Sequence, residues 1–398
     1  MAGYFGNETK LAILRQSSAS NVITGWTTIN ETESGASFTN TNDFRLRFNS
    51  GLLNQDPELI IRDTITGDRG YKKDQVIRGR ETVSGSLSVN FQSLNKDSVT
   101  LASSNLAFNS LLRSAMGNTN WFGNGNPKYL TMGNNSTPFG KSDATVANGV
   151  EVFSGLSLFF DLPGTGVHSG RRITGGVIPS FSFSMNSGGF SNFDFNFLAN
   201  KLTFESTTIS SALTADVRIQ GFSSQLKIGA AQTNDFTFGN DESSINTVQY
   251  TSDATAIDSK RLYITDFSFD VNHNMVLGDN LSGEITNPPP YYSGLREVTG
   301  SFTAIWNQAS QSLTESLFPG GSNPNNLTAR HLIFTVKHPS SSTSDTIDFV
   351  FPHVIFTQAG ITDLSPDQLT STFNFSAYLP ATDQNGEFFI QCPTGNFK

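Results

Sequence analysis

Val83-Ser84-Gly85-Ser86-Leu87-Ser88-Val89-Asn90-Phe91 returns 215 positions later as Val298-Thr299-Gly300-Ser301-Phe302-Thr303-Ala304-Ile305-Trp306. An Arg-Glu pair precedes each copy, Arg80-Glu81 and Arg296-Glu297, with one residue more before the first. The beat matters more than the identities. Leu87, Val89 and Phe91 alternate with Ser86, Ser88 and Asn90, while Phe302, Ala304 and Trp306 keep the same phase. A period of two over such a run predicts a strand with one buried face, and it assigns Trp306 to the core. A helical pattern and then further strands follow both copies. A chain that builds one β unit twice points to a symmetric surface rather than a pocket.

Working outward, the first copy has strands expected near Asp43–Phe48 and Glu58–Asp63, a polar loop over Thr64–Gly79, and a long strand over Arg80–Phe91. A helix is expected over Ser104–Met116, with Phe108, Leu111, Leu112 and Ala115 on one face and Gly117 ending it. Gly117–Gly149 is rich in Asn and Gly and reads as an excursion loop. Strands resume over Val152–Phe160, Ile178–Met185 and Phe190–Phe197. The second copy repeats the order with strands over Ile264–Val271, Arg296–Trp306, His331–Val336, Thr346–Phe351, Thr370–Tyr378 and Glu387–Gln391. Its short helix is expected to start on a capping box, Ser312 with Glu315, and to stop at Pro319. The fold class is therefore all-β with minor helix: two tandem β-sandwich domains, each with one flanking helix. The boundaries are 1–205 for the first domain, with an insertion at 117–149, 206–259 for a linker with strands of its own, and 260–398 for the second.

The composition agrees. At 398 residues the chain suits two domains. It holds 34 Phe against 3 Trp and 8 Tyr, so its aromatic content supplies buried area with few polar handles. Charged residues make up only 15% and the net charge is −9, which argues against a protein that grips phosphates through a basic surface. It leaves room for one that DNA passes without sticking. The lone cysteine, Cys392, allows no intrachain disulfide and suits folding in a reducing compartment. Met1–Glu8 lacks the basic and apolar regions of a signal peptide, and no run of about 18 apolar residues predicts a membrane span.

The remaining motifs offer little site chemistry. His168, His273, His331, His338 and His353 lie far apart, without metal-ligand spacing. Gly164-Thr165-Gly166-Val167-His168-Ser169-Gly170 misses the dinucleotide fingerprint by one residue and reads as a glycine-rich turn. Asp270-Val271-Asn272-His273-Asn274 opens like a calcium loop. It then places Met275 where glycine is needed and Leu281 where the bidentate Glu belongs, so it reads as a strand end. Pro289-Pro290-Tyr291-Tyr292 matches a WW-domain ligand pattern but reads better as a stiff aromatic loop at a subunit boundary. No catalytic constellation, cofactor site or metal site is expected.

Two blocks carry a family resemblance. Ile264-Thr265-Asp266-Phe267-Ser268-Phe269-Asp270-Val271-Asn272-His273-Asn274, a long loop, then Leu295-Arg296-Glu297-Val298-Thr299-Gly300-Ser301-Phe302, resembles the tail tube (major tail) proteins of long, non-contractile-tailed bacteriophages. Thr346-Ile347-Asp348-Phe349-Val350-Phe351-Pro352-His353-Val354-Ile355-Phe356 and the strand around Phe373 and Phe375 resemble them too. The resemblance implies tube domains that join edge to edge into rings, with rings stacked into a conduit for genomic DNA. Two such domains in one chain imply a trimeric ring with pseudo-sixfold symmetry. It further implies that the protein is a structural virion component and not an enzyme, assembled in the host bacterial cytoplasm. The implied partners are itself, a tape measure protein, a tail terminator and the baseplate or distal tail proteins, with transient, non-specific passage of DNA. In the family the loop after an early strand reaches the adjacent ring. That role would fall here to the loop bearing Arg69, Lys72, Lys73, Asp74 and Arg78, against the plainer reading of a solvated mixed-charge loop. Two rivals stand beside this reading. One is another β-rich virion or surface assembly protein, such as a capsid decoration protein or adhesin. The other is a carbohydrate-binding β-sandwich, which would need aromatic platforms and paired carboxylates.

Overall fold

The computed structural model describes residues 9–15, 45–46, 48–61, 76–91, 103–116, 128–134, 137–138, 156–163, 170–199, 201–205, 224–230, 248–277, 291–293, 295–317, 329–337, 346–364, 368–378 and 387–392. The first half contributes β1 (Lys10–Arg15), β2 (Arg45–Leu46), β3 (Ser50–Ile61), β4 (Val76–Asn90), α1 (Ser103–Ala115), β5 (Lys128–Thr131), β6 (Gly133–Asn134), β7 (Thr137–Pro138), β8 (Leu156–Asp161), β9 (Gly170–Asn186), β10 (Asn192–Ala199) and β11 (Lys201–Glu205). The second contributes β12 (Gln225–Ala230), β13 (Val248–Thr251), β14 (Ile264–Asn272), β15 (Met275–Leu277), β16 (Tyr291–Ser293), β17 (Glu297–Ile305), α2 (Gln308–Leu317), β18 (Ala329–Lys337), β19 (Thr346–Leu364), β20 (Leu369–Ala377) and β21 (Phe389–Cys392). The protein is all-β with two helices among the described residues, as the alternation predicts.

The pairing order repeats. In the first half β2, β1, β8, the front of β9 and β11 lie side by side, and β3, β4, β10 and the back of β9 form a second run. In the second half β13, β12, β18, the front of β19 and β21 repeat the first run, and β14, β17, β20 and the back of β19 repeat the second. β12 and β13 come from the expected 206–259 connection and continue the second half's sheet beside β18.

β9 and β19 each switch sheets part-way along. A proline marks the switch in both: Pro179 and Pro352 fall where the ladder register shifts against β10 and β18. Proline has no N–H to give a ladder, so it is tolerated at a bulge, and a bulge is what bends a strand between sheets.

The two halves meet where β9 pairs antiparallel with β14: Met185 opposite Phe267, Phe183 opposite Phe269, Phe181 opposite Val271. Phe183 and Phe269 stack with centroids 5.4 Å apart, and Phe349 lies 4.8 Å from Phe183 and 5.3 Å from Phe269. Phe91, Phe108 and Phe193 join the same cluster. Each of these rings is fully buried, worth roughly 1.5–3 kcal/mol apiece.

Several local expectations change. α1 buries Phe108, Leu111, Leu112 and Ala115 as its spacing requires. α2 starts earlier than expected. Asn307 Oδ1 accepts from the Ser310 amide at 2.9 Å and the Asn307 amide donates to Ser310 Oγ at 2.7 Å, so Asn307 and Ser310 form the reciprocal cap. Ser312 and Glu315 lie inside the helix, where Glu315 accepts from Gln311 Nε2 at 3.0 Å. Trp306 is half-buried, because the strand ends at Ile305 and the chain turns away before the beat is completed. The 117–149 stretch is not loop throughout. Within it β5 pairs with β21 of the second half, Leu130 opposite Ile390.

Candidate functional site

Eight strands run unbroken across both halves in the order β3, β4, β10, β9, β14, β17, β20, β19. Their odd-numbered face in β4, β9, β10 and β14 carries the phenylalanine core. The other face is polar in transverse rows. One row reads Ser50, Ser88, Asp194, Ser182, Asp270, Thr299, Ser376. The next reads Asn90, Asn192, Ser184, Ser268, Ser301, Asn374, Gln358. A third holds Asn186, Asp266, Thr303, Thr372 and Gly360. Among the described side chains these rows contain carboxylates and no Lys or Arg.

The polar groups largely engage one another. Ser268 Oγ lies 3.0 Å from Ser301 Oγ, and Asn196 Nδ2 donates to Ser180 Oγ at 2.9 Å. Asn374 Nδ2 donates to Gln358 Oε1 at 2.9 Å, and Asn192 Nδ2 donates to Ser88 Oγ at 3.0 Å. Asp194 and Asp270 both stand opposite Ser182, from its two sides. Desolvation raises the Asp270 carboxyl above its ordinary range, and the nearby Asp194 charge adds to the rise. These rows are thus mostly short-chained, hydrogen-bonded among themselves and of one charge sign, with Leu52 on β3 and Ile355 on β19 as apolar members of the same face.

This sheet has two open margins. No described strand pairs with β3 on the side away from β4, or with the back of β19 on the side away from β20. Ile361 on β19 is 44% exposed, and Leu52 on β3 is 59% exposed. At the rim the β3–β4 hairpin outruns its neighbour. β10 pairs with β4 only as far as Val83, while β3 and β4 stay paired out to Ile61 and Val76. The corresponding β14–β17 hairpin is extended by the small β15–β16 ladder.

A family model described as phage tail tube protein matches residues 6–377. The chain belongs to that family. No curated protein sequence matches it. It is a structural tail tube protein and a component of the virion tail, a family not normally enzymatic.

The tail tube protein's expected contact residues fall mostly outside the described residues. Arg69, Lys72, Lys73 and Asp74 lie there, as do Pro289 and Pro290. Arg78 is on β4 opposite Leu59, and Tyr291 and Tyr292 are on β16 opposite Leu277 and Val276. The calcium-like segment is a strand end. β14 stops at Asn272, whose Oδ1 accepts from the Asn274 amide at 2.9 Å, and Asn274 takes a left-handed φ of 49°. Sequence reasoning missed the polar rows. Their signal is present in the partners of the core phenylalanines, Ser180-Ser182-Ser184 and Asn192-Asp194-Asn196, which alternate with the core along each strand.

Two buried histidines give the tube subunit a pH dependence. His273 Nε2 lies 2.8 Å from the Ala115 carbonyl at the end of α1, tying the first half's helix to the second half's sheet. Burial lowers His273 to about 4 against the help of that hydrogen bond, with Arg296 adding a smaller push. Burial lowers His331 to about 3, with His353 contributing. The folded state refuses protons that the unfolded chain binds below about pH 6.5, so stability is full above that value and falls as pH drops through the window down to 4 and 3. Each histidine costs about 1.4 kcal/mol per pH unit. Urea unfolding of the disassembled protein should therefore show a loss of about 4 kcal/mol between pH 7.5 and pH 5. A flat profile over that range would contradict the buried neutral imidazoles.

Proposed function

We propose that this tail tube protein forms trimeric rings that stack into a tube, with the polar face of the eight-stranded sheet lining a bore that conducts genomic DNA. The observation that carries the reading is the set of transverse rows that continue through both halves with no cation among the described side chains. A duplex sliding past Lys or Arg would be held by its phosphates, whereas short neutral and acidic side chains offer no such grip.

Strand count supports the number three. At about 4.8 Å between strands and a tilt near 40–45°, closing eight strands per chain gives a backbone diameter of about 33 Å for two chains and about 50 Å for three. Side chains some 5 Å long on each wall leave roughly 23 Å in the smaller ring, close to the width of a B-form duplex and with little clearance. Three chains are the fewest that leave room. Closure also removes both open margins, which would otherwise invite uncontrolled pairing.

The sequence is further proposed to hold two tube units, 1–205 and 260–398, with β12 and β13 of the 206–259 connection added to the second unit's sheet. The β3–β4 and β15–β16 hairpins stand at matching places on the rim, so the loops with Arg69, Lys72, Lys73, Asp74 and Arg78, and with Pro289, Pro290, Tyr291 and Tyr292, are equivalent arms for the neighbouring ring. Tape measure, terminator and distal tail proteins are the partners at the bore and ends, and assembly is in the host cytoplasm. Electron microscopy of concentrated protein tests this reading. Tubes whose end-on averages show a threefold ring with six similar lobes are expected, and Arg69→Ser, Lys72→Ser and Lys73→Ser together should shorten them. Isolated particles, or rings of another order, would refute it.

A further inference from the structure

The junction between the halves is a template for the junction between copies. In the repeat β3 corresponds to β14 and β19 to β9. Gly85 and Gly300 fix the alignment, since Leu53 stands opposite the first and Phe269 opposite the second. On the other side β10 matches β20, with Phe195 opposite Leu87 and Phe373 opposite Phe302. Phe195 pairs in turn with Phe181 and Phe373 with Ala359, so Phe183 corresponds to Ile361 and Ser182 to Gly360.

Within the chain, Phe183 faces Phe269 and Ser182 faces Asp270. Transferring those pairs to the open margins, we infer that the back of β19 receives β3 of a second copy, antiparallel, with Ile361 opposite Leu53 and Gly360 opposite Asn54. This rests on the ring reading above and adds the register to it. Exposure agrees. Ile361 is 44% exposed although its counterpart Phe183 is fully buried, which is what an apolar side chain awaiting a neighbour shows. A Cβ on Gly360 would meet nothing within 4 Å, so this margin is also sterically open. The inter-copy seam replaces the stacked Phe183–Phe269 pair by Ile361 and Leu53, which makes it the weaker of the two junctions. Rings therefore come apart between chains and not within them.

Cysteine cross-linking of the full-length protein tests the register. Asn54→Cys with Gly360→Cys puts thiols on the polar face at directly opposed positions, within disulfide reach. Ser50→Cys with Gly360→Cys displaces one partner by four residues, about 13 Å along the strand. The native Cys392 is buried and does not compete. Under mild oxidation the opposed pair should give reducible dimer and trimer, at least about tenfold more than the displaced pair, because thiols whose Cα atoms are more than about 7 Å apart cannot bridge. Should the double variant fold poorly, mixing the two single variants, Asn54→Cys and Gly360→Cys, should give dimer and nothing larger. Tubes that assemble while the opposed pair links no better than the displaced one would overturn the register and leave the ring reading standing. Protein that forms no rings at all would overturn both.

Discussion

Gly300→Val should destabilise the subunit by on the order of 3 kcal/mol or more and take most of the protein out of the soluble fraction. A Cβ built on Gly300 comes within 2.4 Å of Phe375 Cζ and 2.7 Å of the Ser268 carbonyl oxygen. Neither can yield. The ring is 1% exposed inside the phenylalanine cluster, and the carbonyl belongs to the adjoining strand of the same sheet. Gly85 repeats the arrangement in the first half, where the added atom would meet Phe197 Cζ and the Leu52 carbonyl oxygen. Each glycine stands on the core-facing beat of its strand, and an aromatic ring from the next strand lies across the space its missing side chain leaves. A second variant separates the two contacts. Phe375→Leu added to Gly300→Ala removes the ring atom but not the carbonyl, so it should restore only part of the lost stability. Denaturant unfolding of the soluble fraction measures both. A Gly300→Val protein as stable as the parent would mean the ring does not lie over the glycine.

Those glycines also show what could be read in the chain. The pair of copies around Gly85 and Gly300 was evident, and so was the alternation that buries Leu87, Val89 and Phe302. Both are properties of a single strand, and period-two patterning reports single strands well. The reason for the glycine was not visible, because the ring that needs the space comes from Phe197 or Phe375, far away in the chain. The same limit hid the sheet switches of β9 and β19. The expected strands begin at Ile178, beside Pro179, and stop at Phe351, before Pro352, whereas the structure puts each proline at a bulge and continues the strand past it in both directions. It also hid β5, since a strand of four residues amid Asn and Gly gains its stability from β21 and not from its own sequence. The helix cap moved from Ser312 to Asn307 for a related reason. Both positions offer a capping side chain, and the end of β17 at Ile305 decides where the helix can begin.

The candidate surface was legible only in outline. Net charge could exclude a basic grip on DNA but could not assign a face. Pairing does so, by showing that serines and asparagines from strands of both halves fall into common rows. The strongest test of the proposed bore is therefore to reverse its chemistry. Ser182→Arg with Ser268→Arg places two cations per chain on adjoining rows, six per trimeric ring, without touching the phenylalanine face. Both positions are polar-facing, so assembly should persist. Parent tubes should show little affinity for a short duplex even at 50 mM salt, whereas the arginine tubes should hold it. Six to ten phosphate contacts lose roughly 10³–10⁵ in affinity between 50 and 200 mM salt, so the arginine tubes should also release the duplex steeply over that range. Phage carrying the substitutions should attach normally yet deliver DNA slowly, with titre falling by at least about a hundredfold if each ring brakes the moving duplex. Ser182→Asn with Ser268→Asn keeps the rows neutral and should leave titre unchanged, which separates charge from bulk. Arginine tubes that ignore DNA and phage that infect as before would show that these rows face away from the bore, and the proposed orientation of the sheet would have to be inverted.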